Sequence, residues 1–134
     1  MENKLIEYST AKLAKEKGFD EYYIDCYDTK GNIIPLRLQA SEIEKVYCPA
    51  PIQSLLQKWL REKHKIDIII IVNYNQHKQI KTYRCGIVYI KQLSDRQLIE
   101  TFFIRPEGEK FLFIEFSTYE EALEIGLQEA LKLI

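Results

Sequence analysis

The sequence predicts an α+β protein in which three helices cover one face of an antiparallel sheet, the sheet being a four-strand meander joined by an N-terminal hairpin. Three observations carry that expectation. Apolar residues recur at spacings of three and four in the middle and at the C-terminal end. β-branched or alternating runs fill most of residues 66–116, and the elements follow the order α-β-β-α-β-β-β-β-α. With 134 residues, 46% of them hydrophobic, the chain has the size of one domain, residues 1–134, with apolar side chains enough for one core.

Ser9 or Thr10 is expected to cap a first helix through Lys17, where Gly18 supplies a left-handed stop, with Leu13 and Ala14 on the buried face. Tyr22 to Tyr27 and Ile33 to Leu38 read as strands around "DTKGN", in which Gly31 and Asn32 tolerate the positive φ of a tight turn. Pro35 cannot donate to a ladder, so the second of them is an edge or is broken. Residues 40–49 show no period and read as a connection. Pro51 suits the first position of a second helix, because the amide it lacks is not needed there. Ile52, Leu55, Leu56, Trp59, Leu60 and the stem of Lys63 then share a face that packs on the sheet.

Ile66 to Tyr74 is nearly continuous in hydrophobicity, the pattern of a strand covered on both faces or central in its sheet. Ile80 to Ile90 alternates, with Tyr83, Cys85, Ile87 and Tyr89 on one side, and "NYNQHK" forms the hairpin before it. Leu98 to Ile104 and Phe111 to Phe116 complete the meander around "RPEGE". Thr118 with Glu121, or Ser117 with Glu120, forms a capping box for the last helix. Tyr119, Ala122, Leu123, Gly126, Leu127, Ala130, Leu131 and Ile134 make its buried face. Gly126, costly in an exposed helix by about 1 kcal/mol, signals a close approach to a neighbour.

Composition and motifs exclude several kinds of chemistry. Cys26, Cys48 and Cys85 are an odd, scattered set with no C-x-x-C, which argues against a disulfide framework or a structural zinc and for a reducing cytoplasm. The two histidines, His64 and His77, have no second histidine three or four residues away, so no metal site is expected. Cys85 reads as core, and Cys26 has acidic neighbours that raise its pKa and do not activate it. Glu120, Glu121, Glu124 and Glu129 fall in the first turn or on the wet face of the last helix, without the burial that general acid–base work needs. No G-x-G-x-x-G, Walker A or G-x-S-x-G string is present, and the longest apolar run, Ile68 to Val72, is too short to cross a bilayer. Neither a cofactor nor a catalytic residue is expected, and the cytoplasm is the expected compartment.

Charge is unevenly placed. Residues 1–51 carry seven Lys/Arg and nine Asp/Glu, residues 52–91 eight against two, and residues 92–134 four against nine. Lys58, Arg61, Lys63, Lys65, Lys78, Lys81 and Arg84 are therefore the candidate contacts to a partner. The helix dipole, and the acidic last helix if it folds alongside, give the basic cluster an ordinary structural reason as well. Nucleic acid is the alternative partner, with Tyr74 and Tyr83 as stacking aromatics. A sequence pI near 6.2 lacks the overall basic field of a dedicated nucleic-acid domain. Phe102, Phe103, Phe111 and Phe113 either face the core on alternate sides or offer more aromatic surface than three short helices cover, which would point to a protein partner or a homodimer.

Three strings, "STAKLAKEKGFDEYY", "APIQSLLQKWLREKHKIDI" and "STYEEALEIGLQEALKLI", together resemble a family of small uncharacterised proteins encoded by gut anaerobic bacteria and their phages or other mobile elements. The same blocks occur there in this order, whereas residues 91–116 are longer here. The resemblance implies a phage or mobile-element setting and no catalytic residue, since the family has no established activity. The expected function is that of a small non-enzymatic binding or accessory protein, acting on another protein or on itself. The alternatives are nucleic-acid binding through residues 58–84, then an enzyme of unknown class built from scattered residues.

Overall fold

A computed structural model of the chain describes residues 4–39, 43–105 and 114–134. Among the described residues it is an α+β protein with three α-helices longer than one turn, α1 (Tyr8–Glu16), α2 (Gln53–His64) and α3 (Tyr119–Leu131), and two separate antiparallel sheets of three strands each. The first sheet has the order β2-β1-β3, from the two-residue strands β1 (Cys26–Tyr27), β2 (Ile33–Ile34) and β3 (Cys48–Pro49). The second has the order β4-β5-β6, from β4 (Asp67–Asn75), β5 (Ile80–Gln92) and β6 (Gln97–Phe103).

The expected single sheet with a four-strand meander is thus replaced by two sheets. β3, which lies in the stretch read as a connection, pairs with β1 and makes it the central strand of the small sheet. Long-range pairing decides that, because "CP" alone carries no strand signal. Of the expected last strand, residues 111–113 lie outside the described residues. Phe116 forms an isolated antiparallel bridge with Tyr83, on the same side of β5 as β6.

β5 alternates as expected, with Cys85 and Ile87 fully buried, and it holds the centre of its sheet. β4 does not match its expectation. It is an edge strand whose buried residue is Ile68, whereas Ile69, Ile71, Val72 and Tyr74 are exposed. A continuous apolar run is compatible with burial on two faces but does not cause it, and among the described residues only one face of this sheet meets a helix: α3 lies against β4 and β5, with α1 and α2 packed on α3.

The helices begin and end for identifiable reasons. α1 starts at Tyr8 with Glu7 at its cap position and no local side-chain cap, so Ser9 and Thr10 do not cap it and Thr10 is buried within its first turn. α2 starts at Gln53 with Ile52 at the cap position, and Pro51 stays outside it. Ile6 N–H donates to Pro51 O (3.0 Å), Gln53 N–H donates to Lys4 O (2.7 Å), and Leu5 bridges Ile52, which holds residues 51–52 extended. Leu56 and Leu60 are buried, whereas Trp59 is half-buried, with its ring meeting Phe19 at 5.4 Å and His64 at 4.7 Å, both edge-on. Thr118 Oγ1 accepts from Glu121 N–H (3.1 Å) at the start of α3. The Glu121 carboxylate takes the Ser117 hydroxyl (3.0 Å), so only half of a reciprocal capping box forms. Ile134 lies beyond the end of α3 and is exposed.

Gly31 and Lys65 are two of the four described residues with positive φ, the others being Gly18 and Gln79. Gly31 has φ +83°, and a Cβ there would sit 2.9 Å from the Tyr8 ring, so glycine is required by conformation and by space. Asn32 does not share the positive φ. Lys65 ends α2 in the left-handed region at φ 58°, where an L side chain crowds the following carbonyl. Lys65→Gly is therefore expected to raise stability by about 0.5 to 1 kcal/mol, read as a higher urea midpoint at unchanged slope.

Candidate interaction edge and its basic frame

The open side of β4 is built by its register with β5. Tyr83 exchanges both backbone hydrogen bonds with Phe116 (2.9 and 2.8 Å), and Cys85 O accepts from Ile104 N–H (2.9 Å), so both residues turn their backbone groups away from β4. Their partners in β4 are Val72 and Ile70. In an antiparallel ladder such pairs exchange no hydrogen bonds, so Ile70, Val72 and, by the two-residue alternation, Ile68 and Tyr74 turn their own N–H and C=O groups to the outer edge. Gln57 Nε2 reaches from α2 to Ile68 O at 3.4 Å. Among the described residues nothing else takes up that edge, which leaves the donors and acceptors of Ile70, Val72 and Tyr74 open.

The side chains around this edge are apolar on both faces. Val72 is 51% exposed and Tyr74 56%, on the helix-bearing side, while Ile69 and Ile71 lie exposed on the opposite side. Sheet edges are usually blunted by proline, lysine, a bulge or a short strand. β4 runs nine residues in unbroken register with none of these between Ile68 and Tyr74.

The sequence-predicted contacts divide into groups. Lys58 and Lys63 border a shallow depression with Glu21 and Glu62, on the side of α2 away from β4. Arg61 stands one turn beyond Gln57, on the helix side that reaches Ile68, and Lys65 lies two residues before β4. Lys78 sits in the turn after β4, and Lys81, opposite Tyr74 on β5, lies 5.6 Å from the Tyr83 ring. Arg84 is engaged, its guanidinium 3.0 Å from Glu115. The acidic last helix does not neutralise α2: among the described residues no ion pair joins them, and Glu129 of α3 pairs with Lys132 at 2.9 Å. Phe102 packs with Tyr89 at 6.0 Å, Phe103 lies over Gly86, and Phe111 and Phe113 fall outside the described residues.

Sequence reasoning missed the most unusual polar group. Glu124, expected on a wet face, is 2% exposed. The reason is that α3 is enclosed by the sheet, α1 and α2, so its middle has no open face. Glu124 Oε2 accepts from Glu7 N–H (3.1 Å) and from the Thr10 hydroxyl, while Oε1 accepts from Gln53 Nε2 (3.1 Å). Gln53 also donates to Glu120 O (2.9 Å), and Gln128 Nε2 donates to Thr10 Oγ1 (2.9 Å). The carboxylate thus caps α1 from a distant helix and ties the starts of α1 and α2 to α3. The usable signal in the sequence is its position between Leu123 and Leu127.

Burial raises the Cys85 thiol to about 12 and the Cys48 thiol to about 11, from an ordinary 9.0. Burial also raises that of Cys26, as the sequence suggested in direction, with Asp25 adding a smaller share. All three thiols are buried, so they are poor nucleophiles. Above about pH 9 the unfolded chain gives up these protons while the folded protein keeps them, so stability present below pH 9 is lost as pH rises toward 11 to 12. Denaturant midpoints measured from pH 7 to 10.5 should fall with that onset. A thiol reagent at pH 8 should label the native protein far more slowly than the unfolded chain.

Among the described residues no three His, Cys, Asp or Glu side chains gather as a metal site requires, and no helix is long and apolar enough to cross a membrane. A shallow apolar depression of about 300 Å³ between Leu5, Tyr23, Leu36, Ile52 and Leu55 holds one carboxylate, Asp25, already accepting from Leu36 N–H at 2.8 Å. No family model, curated protein or solved structure matches the chain.

Proposed function

We propose that this protein is a small non-enzymatic interaction module that docks a protein partner by adding a strand to the outer edge of β4. The phage or mobile-element setting implied by the family resemblance suits an accessory protein of this kind. One observation carries the reading: three residues, Ile70, Val72 and Tyr74, hold open backbone donors and acceptors between exposed apolar side chains. A guest strand gains main-chain hydrogen bonds and alternate side-chain contacts from such an edge. Titrating extended peptides into isotopically labelled protein tests it. Amide shifts should concentrate on Ile70, Val72 and Tyr74, and shifts confined to the small sheet or α1 would remove the proposal.

The second reading is nucleic-acid binding, favoured by the absence of ion pairs at Lys58, Arg61, Lys63, Lys65 and Lys78 among the described residues. It requires oligonucleotide binding at about 50 mM salt that weakens steeply as salt rises.

A further inference from the structure

We infer that the segment seated on β4 is an acidic, extended strand of another protein, an apolar run with carboxylates at both ends. The inference rests on the β4 edge being the docking site, and it names the chemistry of the occupant. Only an extended backbone meets the open groups of Ile70, Val72 and Tyr74, which recur every second residue, so the guest contributes about five residues in strand conformation.

Its ends meet positive charge. At the Ile68 end stand Arg61, on the helix side that carries Gln57, and Lys65 just ahead of the strand; the Lys65 ammonium donates to Glu62 O at 3.3 Å and keeps its charge uncompensated by any carboxylate among the described residues. At the Tyr74 end stand Lys78 in the following turn and Lys81 opposite Tyr74. The two pairs of cations are separated by roughly 20 Å of strand, so carboxylates about six residues apart face both. Asp67 is the carboxylate nearest this edge in sequence; Glu115 is already paired with Arg84, and Glu62 lies on the Lys58 side of α2.

A second copy of the chain fits less well. Residues 52–91 carry eight Lys/Arg against two Asp/Glu, and two-fold pairing centred on Val72 sets Lys78 of each copy beside Ile66, between Lys65 and Asp67 of the other. The attraction to Asp67 offsets the repulsion from Lys65, so two copies gain no net charge pairing at the ends of the joint. A partner strand bearing carboxylates makes both encounters attractive, and its β-branched or aromatic residues lie against Val72 and Tyr74.

Three dye-labelled peptides test this, sharing one five-residue Val/Thr run and flanked on both sides by Glu, Gln or Lys. Anisotropy titrations at about 0.05 M and about 0.5 M salt should show the Glu-flanked peptide binding at least tenfold tighter than the Gln-flanked one at low salt, with the gap closing at high salt. The Lys-flanked peptide should not bind, and the Arg61→Glu, Lys78→Glu double variant should reverse the order. Val72→Pro removes an open donor without touching the β5 ladder and should abolish binding. A Glu-flanked peptide N-methylated along its bonding edge gives the same control without altering the protein.

Equal binding of Glu- and Gln-flanked peptides at both salts overturns the acidic occupant and leaves the edge as docking site. Undiminished binding of the N-methylated peptide overturns both. A wild-type dimer at micromolar concentration that Val72→Pro converts to monomer makes the occupant a second copy. If none of the three peptides binds, the inference fails.

Discussion

Replacing Glu124 with alanine is expected to lower stability by about 3 kcal/mol. The change removes the acceptor of three donors in one step: Glu7 N–H, the Thr10 hydroxyl and the Gln53 amide. Thr10 and Gln53 are themselves buried, so water cannot replace the lost partner without a rearrangement. Glu124→Gln keeps the shape and one oxygen but turns an NH2 group toward a donor, so it should cost less, about 1 to 2 kcal/mol. Because the network spans three helices, the loss should couple to Thr10→Ala. The double variant should be less destabilised than the sum of the singles, by 0.5 kcal/mol or more on the usual scale of such couplings, roughly. Urea denaturation of the four proteins supplies the cycle. Additive losses would mean that Glu124 acts through burial alone and not through the shared hydrogen bonds.

The second large effect is expected at Gly126. A Cβ placed there would lie 2.5 Å from Cys85 Sγ and 2.8 Å from Ile68 Cγ2, both on strands directly beneath α3. Cys85 Sγ could move only by a χ1 rotation in a fully buried site, and Ile68 Cγ2 is fixed to a β-branched stem, so α3 must lift from the sheet or the core beneath it must repack. Gly126→Ala should therefore destabilise by about 1 to 2 kcal/mol even though alanine is the better helix former. Gly126→Val should cost about 3 kcal/mol or more. Adding Cys85→Ala should return part of the Gly126→Ala loss, because the sulfur is one of the two obstructions and Ile68 is the other. A stabilised Gly126→Ala protein would show that α3 is not held as closely to β4 and β5 as its contacts indicate.

Gly126 was legible from the sequence because a glycine inside a strongly amphipathic helix contradicts local propensity, and such a conflict has its reason in tertiary contact. Glu124 was not, because its place between Leu123 and Leu127 signals burial only once two further helices close over that side of α3. Thr10 was misread for the same reason. As a hydroxyl near a helix start it fits a local cap, yet its partner is a carboxylate more than a hundred residues away. Pro51 likewise obeyed the rule for a first helical position until the N-terminal segment paired across it.

The candidate edge divides in the same way. The cations Lys58, Arg61, Lys63, Lys65, Lys78 and Lys81 could be read directly from the chain, but their grouping about two sides of α2 and two ends of β4 could not. Nor could the openness of β4: "IIIIV" is what a central strand looks like, and nothing local to it says that β5 has a neighbour on both sides while β4 has one.

By itself, the sequence determined the three helices, the two long strands in the middle of the chain, the glycine beneath α3 and the layout of charge, since each follows from periodicity, propensity or composition within a short window. Tertiary structure decided that the strands form two sheets, that β4 lies at an edge and that Glu124 is buried. Each of these depends on which distant segment arrives alongside, and backbone hydrogen bonding and burial are settled by that neighbour and not by the residues that receive it.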